Sequence, residues 1–80
     1  MKRQVFAFDI YDDSEECELS NGHIVAWDYI NAENLLLKVF NRSYSIYKYT
    51  IYDLDEDEQT EFFSDGKKTL GVYNQFSVKL

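Results

Sequence analysis

Residues 43–63 read SYSIYKYTIYDLDEDEQTEFF, and the fold turns on where strand ends and something else begins within them. The first half is β-branched and aromatic throughout, the composition of a pleated, packed surface. At a period of two, Tyr44, Ile46 and Tyr52 fall on one face and Tyr47, Tyr49 and Ile51 on the other. A strand apolar on both sides fits the middle of a sheet. The second half, DLDEDEQTE, is dense in carboxylates. We read TEFFSDGKKT as a strand end followed by a turn, with Asp65-Gly66 as a hairpin signal.

Working outward, QVFAFDIY at residues 4–11 alternates Phe6, Phe8 and Ile10 against Val5, Ala7, Asp9 and Tyr11 and reads as a first strand. DDSE is turn-like, and SNG at residues 20–22 is a second turn signal. HIVAWDYI then reads as a short strand with His23, Val25 and Trp27 on one side. NAENLLLKVFN is the best helix: Asn31 can cap it, and Ala32, Leu36, Val39 and Phe40 form a stripe that Leu35 and Leu37 widen. A rival reading extends that helix back to about Ile24. TLGVYNQFSVKL closes the chain as a strand with Leu70, Val72, Phe76, Val78 and Leu80 facing one way. The expected architecture is α+β: an antiparallel sheet of four to five strands, one helix packed on one face, in ββαβββ order.

Eighty residues make one domain. So short a chain needs large side chains in its core, and 18% of its residues are aromatic. That favours a folded globule over the disorder that a mean hydropathy of -0.47 would otherwise favour. The single cysteine fits a reducing compartment. The N-terminal apolar stretch is broken by Asp9 and too short for a signal peptide, and no run approaches a membrane span. A soluble cytoplasmic protein is the expectation.

Fifteen acids against eight bases give a net charge of -7. Such a chain is repelled by nucleic acid and anionic membranes and attracts basic partners. The acids are also clustered. One group comprises Asp9, Asp12, Asp13, Glu15, Glu16 and Glu18; another comprises Asp53, Asp55, Glu56, Asp57, Glu58, Glu61 and Asp65. A merely solubilising surface usually intersperses both signs.

Three readings compete for the acidic runs. As a calcium loop, residues 53–64 place Asp53, Asp55 and Asp57 at the first, third and fifth positions. Glu58 then stands where a glycine is needed, and Ser64 where a bidentate glutamate is needed. We expect no metal and no cofactor. As plain chemistry, the runs are two solvated turns. As a recognition surface, an extended Asp53, Asp55 and Asp57 would sit about 6.6 Å apart, near the spacing of every second phosphate along one DNA strand. Asp12, Asp13, Glu15, Glu16 and Glu18 would add a second run, continuous with the first if both border one face. Tyr47 and Tyr49 would supply aromatic contact area beside the charge.

Enzyme chemistry finds no support. His23 is the only histidine and has no triad-like neighbours in sequence. Cys17, between Glu16 and Glu18, lacks the electropositive setting of a nucleophilic thiol. There is no glycine-rich phosphate loop.

In size, acidity, aromatic content and its two runs DDSEECE and DLDEDEQTE, the chain resembles small bacteriophage proteins that block nucleic-acid-binding host enzymes, the DNA-mimic anti-CRISPR and anti-restriction class. The resemblance implies a stoichiometric inhibitor, monomer or homodimer, working in the bacterial host cytoplasm. It would occupy a basic groove of a nucleic-acid-binding host protein and touch neither nucleic acid nor membrane itself. The alternative is an assembly or adaptor module that pairs through exposed tyrosines and a sheet edge, with FSVKL as the candidate edge and Lys79 as its guard.

Overall fold

A computed structural model describes residues 2–12, 17–40, 48–64, 66 and 68–80. The element order is β1 (Gln4–Tyr11), β2 (Glu18–Ala26), α1 (Tyr29–Phe40), β3 (Lys48–Asp53), α2 (Glu56–Phe63) and β4 (Gly71–Asn74). The four strands form one antiparallel sheet in the spatial order β3-β1-β2-β4. The α+β class holds. The ββαβββ order does not: residues 56–63 are a second helix, so the order is ββαβαβ.

β1 is central and apolar where both faces are covered, with Val5, Phe6, Phe8 and Ile10 all buried. β3, read from sequence as central, is instead an edge strand. Its apolar character serves one face only: Ile51 is buried while Thr50 and Tyr52 are exposed. Tyr44, Ile46 and Tyr47 lie outside the described residues.

β2 begins at Glu18 and runs through the SNG stretch, which is strand and not turn. The reason lies at Gly22. It pairs with Asn74 of β4, and a Cβ there would overlap the Tyr73 carbonyl oxygen, so the glycine lets β4 approach. The reversal between β1 and β2 falls earlier and is closed by the Asp12 N–H donating to the Cys17 carbonyl at 3.1 Å. The rival helix start at Ile24 also fails, because Ile24, Val25 and Ala26 are buried strand residues.

α1 covers one face of the sheet. Its cap is Asp28, whose Oδ1 accepts from the Asn31 N–H at 2.8 Å. Asn31, expected as the cap, reaches back to accept from the Trp27 N–H at 3.0 Å. Beneath the helix, Phe6, Phe8, Ile10, Ile24, Ala26, Ala32, Leu36, Ile51 and Val72 make the core, with Leu35, Val39, Phe40 and Tyr49 against its edge. Tyr29 and Phe40, at opposite ends of α1, close on Phe6 and Phe8 with ring centroids 6.4 and 5.9 Å apart.

α2 crosses the other face, connecting the two edge strands. Phe62 packs on the His23 ring at 4.8 Å and on Tyr73 at 6.1 Å. Gln59 ties the helix to the sheet: its Oε1 accepts from the Val5 N–H at 3.3 Å and its Nε2 donates to the Leu54 carbonyl at 3.0 Å. The carboxamide thus replaces the next rung of the β1–β3 ladder, where β3 has turned away. No residue of α2 is fully buried, so this cover is thin.

The C-terminus departs from expectation too. After β4 the chain reverses at Asn74, whose Oδ1 accepts from the Phe76 and Val78 N–H groups, with Ser77 at φ 62°. It then runs back along β4: Asn74 N–H donates to Val78 O, and Leu80 N–H to Val72 O. Phe76, Val78 and Leu80 are therefore exposed, at 76%, 57% and 49%, and not part of the core.

Candidate partner-binding surface

The acidic run from Asp53 to Glu61 is shaped by a helix start. Asp55 is the N-cap; its carboxylate accepts from the Glu58 N–H at 2.8 Å, and the Glu58 side chain accepts from the Asp55 N–H at 3.5 Å. This is a capping box, and its signature, an N-cap aspartate with glutamate three residues on, is present in the sequence. Glu56, Asp57 and Glu58 also favour the positive end of the helix dipole. The extended spacing of Asp53, Asp55 and Asp57 therefore does not exist: only Asp53 is in a strand.

Asp53, Asp55, Glu56, Asp57, Glu58 and Glu61 are all exposed. Among the described residues none of them forms an ion pair. They do not face one way. Glu56 lines a cleft of about 630 Å³ with Lys2, Arg3, Gln4, Gln59 and Phe63, where N-terminal bases lie nearby. Glu58 and Glu61 line a second, of about 320 Å³, with His23, Leu54 and Phe62. Asp57 borders neither. Asp57 and Glu61 stand four residues apart, where like charges repel, and the last turn carries no base.

The described members of the second run, Asp12 and Glu18, lie elsewhere. Glu18 opens β2, is exposed, and accepts from the Asn21 side chain at 3.0 Å; Asp12 is half-buried. Asp13, Glu15 and Glu16 fall outside the described residues. Tyr11 stands opposite Glu18, whereas Phe6 stands opposite Asp53. Five residues of β1, about 17 Å of strand, separate the two ends. Of the described residues, Glu18 and Asp53 thus stand at opposite ends of β1.

Asp9 is the carboxylate between them, on the α2 side of the sheet. The Tyr52 hydroxyl donates to it, which holds the Tyr52 pKa above its ordinary value; the Asp9 charge, with burial and Glu18, does the same to Tyr11. Tyr49 points the opposite way, donating to Glu33 Oε2 at 2.9 Å against the core, and burial first raises its pKa. Tyr47 is outside the described residues.

His23 has a different character. Its Nδ1 is buried with no hydrogen-bond partner, and burial lowers its pKa against the opposing pull of Glu58. Among the described residues no three His, Cys, Asp or Glu side chains converge as a metal site, and no helix is long and apolar enough to cross a membrane. Compared with protein-family models, curated proteins and solved structures, the chain matches none.

Proposed function

We propose that this chain is a small non-enzymatic inhibitor that occupies the basic nucleic-acid-binding groove of a host protein, in the manner of phage-encoded DNA mimics. The observation that carries this reading is the set of exposed carboxylates at the end of β3 and along α2, Asp53 and Asp55 to Glu61, with no ion pair among the described residues. Asp55 and Glu58 serve the helix cap and Glu56 and Asp57 its dipole, but Asp53 and Glu61 serve neither. Glu61 even opposes the helix dipole, a cost that a partner's lysines or arginines would offset. The helical form supplies its own spacing. Four residues at about 1.5 Å rise set Asp57 and Glu61 about 6 Å apart along the axis, close to the roughly 6.8 Å between alternate phosphates.

The test is a tagged pull-down from nuclease-treated bacterial lysate, followed by competition with a DNA duplex. A nucleic-acid-binding protein should be retained at low salt, be shed as salt rises, and be displaced by the duplex. The double variant Asp57→Lys/Glu61→Lys, which leaves the capping box intact, should lose it. Retention of the same partner by that variant, or indifference to the duplex, would sink charge mimicry.

A second reading, an assembly module, is favoured by one observation: among the described residues nothing pairs with the outer edge of β3. FSVKL lies along β4 and so forms the outer margin of the sheet on that side, but it is bridged at Tyr73 and Lys79 only and is shorter than the β3 edge.

A further inference from the structure

We infer that β3 is a self-association edge and that its occupant is the β3 of a second copy, giving a two-fold dimer with a continuous eight-stranded sheet. This goes beyond the inhibitor reading and does not depend on it.

The hydrogen-bonding direction of the edge follows from Gln59. Because its carboxamide joins Val5 N–H to Leu54 C=O, the Val5 N–H points toward β3. In an antiparallel ladder this direction alternates residue by residue. Ala7, Asp9 and Tyr11 therefore bond to their partners Tyr52, Thr50 and Lys48. Tyr49, Ile51 and Asp53 then turn their N–H and C=O groups outward. The opposite edge obeys the same alternation: Val72 and Asn74 point outward and meet Leu80 and Val78.

Two features make a second copy the fitting occupant. The edge is undefended along its middle, since Tyr49-Thr50-Ile51-Tyr52 carries no charge, proline or bulge. It is also self-complementary in one register. With Thr50 on the two-fold axis, Thr50 faces Thr50 of the partner subunit. Tyr49 then faces the partner's Ile51, extending the apolar layer under α1, and Lys48 faces the partner's Tyr52, whose hydroxyl Asp9 holds. Paired hydroxyls, an aromatic against a β-branched residue, and a cation beside an aromatic are all favourable cross-strand pairs. The register one step along sets Asp53 of each copy beside Tyr49 and its Glu33 partner, carboxylate against carboxylate. Closure follows from the other edge. On that side the chain's own residues 78–80 lie along β4 and turn only the Lys79 backbone groups outward, a margin too short and too charged to template a strand, so β3 is the one long open edge among the described residues and assembly stops at two.

Sedimentation velocity over the micromolar range tests this directly, with amide exchange as the residue-level readout. A concentration-dependent dimer is expected, in which the Tyr49 and Ile51 amides become protected as dimer forms. The Thr50 and Tyr52 amides should be protected at every concentration. Thr50→Lys changes an exposed side chain and leaves the bonds to β1 in place; it should weaken association on the order of tenfold by setting like charges opposite each other. In a Cys17→Ser background, oxidation should cross-link Thr50→Cys and not Tyr52→Cys. A monomer throughout, a dimer whose Tyr49 and Ile51 amides stay unprotected, or cross-linking through Tyr52→Cys alone would overturn the proposal.

Discussion

His23 shows how a single residue can carry the pH response of a fold. Its ring lies against Phe62, its Nδ1 has no partner, and burial depresses its pKa, with Glu58 pulling the other way; Lys68 sits over the Phe62 and Tyr73 rings. The unfolded chain binds the proton more readily than the folded one, so stability is highest above the ordinary histidine pKa of about 6.5 and falls as pH drops through the folded value. Urea midpoints at pH 7.5 and 5.5 should therefore differ in the wild type, and the difference should shrink in His23→Phe. That residue's setting was not legible in the sequence, where a lone histidine beside SNG looks like a surface group. Its burial depends on Phe62, 39 positions away, arriving on a helix. Gly22 misled for a related reason. Its neighbours Ser20 and Asn21 give it the look of a turn, and only the approach of Tyr73 explains why a glycine sits inside a strand.

Among the elements, α2 separates sequence reading from structure most sharply. A local signal for it existed, Asp55 followed by Glu58, yet the strand before and Phe62-Phe63 after favoured an extended reading. Charge alone is indifferent to secondary structure; the capping geometry is not. Replacing Asp55 by Ala should cost about 1 kcal/mol, read as a lower urea midpoint and faster amide exchange across residues 58–63. The same substitution leaves Asp57 and Glu61 in place, so helix fraying and loss of charge can be told apart in any binding assay. By contrast α1 was legible because its stripe is long and apolar: Ala32 and Leu36 are both buried as the spacing demands. β3 was legible as a strand but not as an edge, since Ile51 and the tyrosines carry the same pattern in either place.

For the whole molecule, the distribution of charge is the property read most directly from sequence, and its arrangement in space the least. Two acidic runs were visible; that β1 would hold Glu18 and Asp53 about 17 Å apart was not, because strand order is set by long-range pairing. A net charge of -7 on 80 residues still acts on the ensemble as self-repulsion. Raising sodium chloride toward physiological strength should raise the melting temperature by about 4–8 °C if screening restores about 1 kcal/mol. A flat response would mean that the two ends are too far apart to feel each other. Gln59 bears on how such a molecule opens. One carboxamide serves two strands and one helix, so α2 cannot lift off without stripping Val5 N–H and Leu54 C=O of their partner together. Undocking of the helix and unzipping of that corner of the sheet are therefore a single event. The exchange rate of the Val5 amide becomes a clock for it, readable without touching the helix at all.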